Sequence, residues 1–287
     1  MSLATIVSNV AAECGYTVDP TIIGSTETTT KQLLAMTQRI NREIFEAYPW
    51  PKCYASGSIT LVGGQANYSL PAAFSWYQYE TFWNSSTRWR ILGPMSEQEY
   101  GEIRGFGLNT TVYQRFQIRG LSNSEVLISP TPSATNNGNI IVFEYIADRS
   151  VKPKTWTAST LFAANSYCFY NGNYYQTTAG GTTGSTAPTH TSGSVSDGGV
   201  TWTYYDGAYS TFLADTDTSI FNEKLVEQGV MEKFAQMHGL STVQPVFTGQ
   251  LHEEFSRDNP GKIIYAGGHT RAELFARSGT AVFGTWI

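Results

Sequence analysis

The sequence predicts an α+β fold. An antiparallel helical bundle from the N- and C-terminal segments brackets a β-rich domain, with a small all-β module inserted behind it. Three observations point there. Apolar residues recur at three- and four-residue steps near both ends, they alternate through the middle, and one internal segment departs sharply in composition. The expected organisation is 1–50 with 211–264 as the bundle, 51–153 as the β-rich domain, 154–210 as the module and 265–287 as an extended tail.

The first helix follows Ser2, an N-cap residue, with Leu3, Ile6, Val7, Val10 and Cys14 on one face and Gly15 at its close. A linker from Pro20 to Thr26 leads into the second, Thr28 to Tyr48. Its stripe is Leu33, Leu34, Thr37, Ile40, Ile44, Phe45 and Tyr48, and Pro51 stops it. Lys31, Arg39, Arg42, Glu43 and Glu46 fall mostly off that stripe, as on a solvated face.

From Trp50 the period changes to two. Tyr54 to Val62, Gly63-Gly64 and then Asn67 to Leu70 read as a hairpin. Further strands are expected at Tyr77 to Trp83, Thr87 to Ile91, Tyr113 to Ile118, Glu125 to Ile128 and Asn139 to Tyr145, with a short helix at Pro94 to Tyr100. The segment 154–210 holds three charged residues, eight glycines, twelve threonines, seven tyrosines and two tryptophans, so 38 of the chain's 41 charges lie outside it. Beyond it, Leu225, Val226, Val230, Phe234 and Met237 form a third helical stripe ending at Gly239. Phe247, Leu251 and Phe255 form a fourth between Pro245 and Pro260. Asp215 and Asp217 read as acidic caps at the start of the third helix, with Glu223 in its first turn.

Composition narrows the function. The formal charge is −5 and charged residues make up 14 %, about half the usual share, which argues against a dedicated nucleic-acid binder. Arg39 and Arg42 with Lys31, and Arg88 with Arg90, are the main basic groupings. Cys14, Cys53 and Cys168 stand far apart, so neither a disulfide framework nor a zinc site is expected. His190, His238, His252 and His269 lack ligand spacing. No phosphate-binding glycine loop and no nucleophile with a matching base occurs. No stretch reaches the ~20 apolar residues of a membrane span, and the start lacks a signal-peptide pattern. The expectation is therefore a soluble, non-enzymatic protein made inside a cell, with no cofactor, no metal and no catalytic residues. Within the module, Trp156, Tyr170, Tyr174, Tyr175, Trp202 and Tyr204 can build a small core. Trp156, Tyr174, Tyr175 and Trp202 can alternatively form a platform that stacks on sugar rings.

Several strings, in order, resemble one family, the head-to-tail adaptors of short-tailed bacteriophages of the tail tubular protein A class. These are Leu3-x3-Val7-x2-Val10 with Gly15, then Thr28-x2-Gln32-Leu33-Leu34. Next come Gly63-Gly64-Gln65-x2-Tyr68-x-Leu70-Pro71-x2-Phe74, then Ile128-Ser129-Pro130-x-Pro132, and last Phe212-Leu213-Ala214-Asp215-Thr216-Asp217 leading to Glu223 and Leu225. Tyr174-Tyr175-Gln176 and Asp197-Gly198-Gly199-Val200-x-Trp202 resemble instead the small chitin-binding-like β modules of phage structural proteins.

The resemblance implies a structural virion protein, a closed ring most simply of twelve copies, assembled in the host cytoplasm. It would join the portal protein to the tail nozzle protein and surround a channel through which DNA passes without specific binding. The bundle would make most subunit contacts. Phe283, Trp286 and Ile287 would dock the tail on the portal, and tail fibres are a candidate further partner. The alternative is a carbohydrate-binding tail or fibre-attachment component acting through 154–210.

Overall fold

The computed structural model describes residues 1–106, 113–121, 124–239 and 246–258. Five helices lie among them: α1 (Leu3–Glu13), α2 (Thr28–Ala47), α3 (Glu97–Gly105), α4 (Glu223–His238) and α5 (Phe247–Asp258). With several antiparallel sheets beside them, the protein is a mixed α+β fold. No described helix is long and apolar enough to cross a membrane. The described chain divides into two compact units, one holding Met1–Tyr48 and the residues from Arg149 onward, the other Pro49–Asp148.

In the first unit, α1, α2 and α5 each pack on α4, and α1 also meets α2. Ser2 caps α1 by accepting from the Thr5 amide, and Gly15 leaves the helix at φ +76°. Glu27 caps α2 through the amides of Thr29 and Thr30. The Thr30 side chain first, then the Thr30 and Thr29 amides, hold its carboxyl down at about 2. The stripes read from the sequence are the buried ones: Leu3, Ile6, Val7 and Val10 on α1, Leu33, Ile40, Ile44 and Phe45 on α2.

Gly229 sits on α4 where a Cβ would come within 2.7 Å of Ile40 and 2.8 Å of Phe247, so a bare backbone there admits both neighbours. The two last helices are bonded end to end. Glu232 of α4 accepts from the Val246 and Phe247 amides that begin α5, at 2.6 and 2.7 Å. Glu254 of α5 accepts from Asn222, the N-cap of α4, at 3.1 Å. Glu232 therefore satisfies two backbone donors that the start of α5 leaves open, while Glu254 holds the side chain of the α4 cap.

The second unit contains β1 (Tyr54–Thr60), β2 (Asn67–Ser69), β3 (Phe74–Tyr77), β4 (Trp83–Asn84), β5 (Trp89–Arg90), β6 (Arg115–Arg119), β7 (Glu125–Ser129) and β8 (Ile140–Ala147). One sheet runs β1-β8-β4-β5, with β3 pairing the far end of β8, and a second runs β2-β7-β6. Their shared core stacks Phe82 between Phe116 and Phe143, at 4.0 and 4.6 Å.

The hairpin expected across Gly63-Gly64 does not form. β1 pairs with β8 and β2 pairs with β7. The Tyr68 hydroxyl donates to the carbonyls of Val62 and Gln65, while Gly64 donates to Pro132. The chain is thus held in a wide crossover between sheets instead of a tight turn.

The remaining strands belong to the first unit. β9 (Val151–Lys152) pairs with β16 (Thr218–Ser219), and β10 (Leu161–Phe162) with β13 (Gly181–Thr182). β11 (Tyr167–Tyr170), β12 (Asn173–Gln176), β14 (Ser194–Asp197) and β15 (Val200–Tyr205) form a four-stranded sheet in the order β11-β12-β15-β14. Asn171 and Gly172, both at positive φ, close the two-residue turn between β11 and β12.

Candidate functional site

The chemistry-bearing residues are dispersed. Among the described residues no group of three or more His, Cys, Asp and Glu could hold a metal ion. The described histidines lie against aromatic rings: His238 on Phe234 and Tyr16, His252 beside Tyr48, His190 beside Tyr175. His269 and the tail residues Phe283, Trp286 and Ile287 fall outside the described residues. The basic groupings are mostly spent on local ion pairs, Arg39 with Glu43, Arg42 with Glu46 and Arg90 with Glu80.

The Asp215-x-Asp217 pair does gather something, though not the start of α4. Asn222 is the N-cap there, accepting from the Lys224 amide, so the capping role read for the two aspartates is corrected. Asp217 is instead buried, and its Oδ2 accepts from the Tyr209 hydroxyl at 2.9 Å and from the Leu213 and Ala214 amides at 2.8 and 3.0 Å. Asp215 accepts from the Ile22 and Ile23 amides at 3.1 and 2.7 Å.

Their backbone carbonyls complete the arrangement. Asp217 O accepts from Leu3 N and Asp215 O from Ala4 N, so the open donors at the start of α1 are satisfied by a loop more than two hundred residues away. Burial pushes the Asp217 carboxyl up, and the hydrogen bonds from Leu213, Ala214 and Tyr209 only partly offset it. Burial, and then the Asp217 charge, push the Tyr209 phenol up as well. Beside this knot a buried polar chain runs from Ser219 to Asn41 to Ser150, at 2.6 and 2.9 Å. It ties α2 to β16 and to the residue preceding β9.

The four-stranded sheet is fastened to the same unit. Arg149 donates to the carbonyls of Tyr205 and Gly207, pairs with Asp206 at 3.3 Å and lies 4.8 Å over the Tyr174 ring. The Tyr174 hydroxyl donates to Val151 O. Trp202 and Tyr175 are fully buried with Phe162, Cys168 and Val200, and Tyr174 is 5 % exposed. Trp156 is half-buried, its Nε1 donating to Asp197 at 2.8 Å. The sugar platform expected on Trp156, Tyr174, Tyr175 and Trp202 is therefore corrected. A ring enclosed on both faces has none to offer a ligand, and a small sheet has few other residues with which to build a core.

Beyond these packed regions the second unit presents open surface. Trp83, Trp89, Ile140 and Val142 are exposed there, and the unit carries two shallow depressions. One of about 270 Å³ is lined by Ser56, Ser58, Thr81, Val142 and Glu144, and one of about 320 Å³ by Trp76, Tyr77, Pro94, Met95 and Gln117. Sequence reading singled out neither, because strand alternation alone does not tell which face of a sheet stays open.

The family model of the SU10 adaptor protein matches residues 1–170. The chain belongs to this family. It is a phage adaptor, a structural component of the virion. The match takes in α1, α2, the described second unit, β9, β10 and the first strand of the four-stranded sheet, and ends at the last residue of β11. The knot at Asp215–Asp217, α4 and α5 lie beyond the match, yet they are bonded to α1 and α2 inside it. A search of curated proteins returns no match.

Proposed function

We propose that this SU10-type adaptor is a head-to-tail connector of a short-tailed phage, of the tail tubular protein A kind. Twelve copies close into a ring that seats beneath the portal and above the tail nozzle, with DNA passing through its channel. The observation that carries the reading is the family match over residues 1–170, which holds most of the strings that resemble those connectors. A net charge of −5 suits a channel wall along which DNA slides without sticking. Closed symmetry suits a chain this poor in charge, because each interface patch is covered by the next subunit. The protein acts by assembly, with no catalytic step. Residues 154–210 are an inserted module, held in place by the Arg149 bonds to Tyr205, Asp206 and Gly207. The tail docks on the portal through Phe283, Trp286 and Ile287.

Electron microscopy of the purified protein mixed with portal tests the reading. Stacked rings are the expected image, and a protein that stays monomeric and ignores portal overturns it. Removal of residues 270–287 is expected to weaken portal binding at unchanged thermal stability. Undiminished binding would exclude the tail as the anchor.

A further inference from the structure

We infer that the outer face of the five-stranded sheet in the second unit carries a saccharide-binding site centred on Trp83 and Glu144. The site follows from register. Ser58 of β1 lies opposite Val142 of β8, Val142 opposite Trp83 of β4, and Trp83 opposite Arg90 of β5, so these four side chains form one row on one face. Ser56 with Glu144, and Thr60 with Ile140, form the flanking rows on the same face. The opposite face, holding Gly57, Ile59, Ile141 and Phe143, faces the core. The outer face is open: Trp83 is 45 % exposed and Val142 39 %.

The face carries a depression of about 270 Å³ lined by Ser56, Ser58, Thr81, Val142 and Glu144, and Trp83 lies across the strand pairing from Val142. The volume of about 270 Å³ is just below the ~300–1,000 Å³ range of small-molecule sites, a size for about one sugar ring. The indole is held in place by its Nε1, which donates to Glu80 O at 3.2 Å, and so presents a fixed ring. Glu144 accepts one hydrogen bond, from Ser56 Oγ at 2.7 Å, and has no ion-pair partner among the described residues. Ser58 Oγ has no hydrogen-bond partner among them. A carboxylate with spare lone pairs and a free hydroxyl therefore line the depression, and the exposed Trp83 ring stands on the same face, one strand over from Val142.

That combination fits a pyranose, which is apolar on one face and ringed by hydroxyl donors and acceptors. Phosphate-bearing ligands fit poorly, since Glu144 repels them and Arg90 is already paired with Glu80 at 2.7 Å. A packed protein surface would want a broader apolar area than one strip bordered by Ser56, Ser58 and Thr60. The site is independent of the connector reading and stands or falls separately from it.

The test applies full-length protein to an array of hexose, N-acetylhexosamine and 6-deoxyhexose glycans, followed by titration of the best-retained glycan. Wild-type protein is expected to retain at least one class. Trp83→Ala is expected to bind about tenfold more weakly, the order of losing one aromatic stacking face. Glu144→Gln, which keeps shape and changes only charge, should weaken binding as well and guards against a misfolded Trp83 variant. Trp89→Ala, on the opposite face against Tyr113, should leave binding unchanged. Retention of no glycan, or equal retention by the Trp83 and Glu144 variants, overturns the inference. A change of oligomeric state in Trp83→Ala with sugar binding intact overturns it too, and marks the face as a protein contact.

Discussion

Replacing Asp217 by alanine should unfasten the N-terminal helix from the loop that caps it. The substitution strips three donors of their acceptor. The Tyr209 hydroxyl is enclosed, so orphaning it costs about 1–3 kcal/mol, while the Leu213 and Ala214 amides, partly reached by water, together add about 1 kcal/mol. The expected loss is about 3 kcal/mol, or a fall of roughly 6–12 °C in melting temperature for a unit of this size. Asp217→Asn keeps one acceptor and the shape, and should lose only about 1 kcal/mol.

The pH dependence separates charge from geometry. Because burial raises the folded-state pKa of Asp217 above 3.8, its stabilising contribution is full below that value and is lost as pH rises through the raised folded value. Wild-type stability should therefore fall relative to Asp217→Asn as pH climbs from below 3.8 toward neutrality. Differential scanning calorimetry of the three proteins across that range measures both effects. An alanine variant within about 1 kcal/mol of wild type, or a gap to the asparagine variant that does not change with pH, would refute the reasoning.

Three further outcomes follow from single contacts. Gly57→Val places a Cβ 2.5 Å from the Phe143 ring, so it should destabilise the second unit by about 1–3 kcal/mol in urea unfolding. Cys168 is fully buried, and that burial pushes its thiol up to about 12. In native protein at pH 8 it should resist iodoacetamide, reacting only after denaturation, as peptide mass spectrometry would read. Glu232→Ala leaves the Val246 and Phe247 amides uncapped, so it should lower stability by about 1–2 kcal/mol and speed hydrogen exchange in α5 while sparing the second unit.

The sequence by itself determined the helices. Ser2 and Gly15 bound α1, Gly239 ends α4 in a left-handed turn, and the apolar stripes of α1, α2 and α4 name most of their buried faces, Met237 at the end of α4 being exposed instead, because a helix closes its hydrogen bonds within four residues. It also marked β1, β2 and β5 to β8 and the ordered strings that agree with an adaptor family, but the strand expected over Tyr77 to Trp83 is instead the connection between the end of β3 and the start of β4. Only the tertiary structure decided partners. β1 pairs with a strand more than eighty residues away instead of its neighbour across Gly63-Gly64, since alternation states which residues face one way and not which strand lies beside them.

The same distinction explains the sites. The Asp215 and Asp217 carboxylates have the chemistry of a helix cap, yet they bind the Ile22, Ile23, Leu213 and Ala214 amides and the Tyr209 hydroxyl, and it is the backbone carbonyls of the same two residues that serve the start of α1. Trp202 and Trp83 are equally aromatic in the sequence. One is sealed under Phe162 and Tyr175 and the other stands open beside Glu144, because exposure depends on what the rest of the chain lays over a ring.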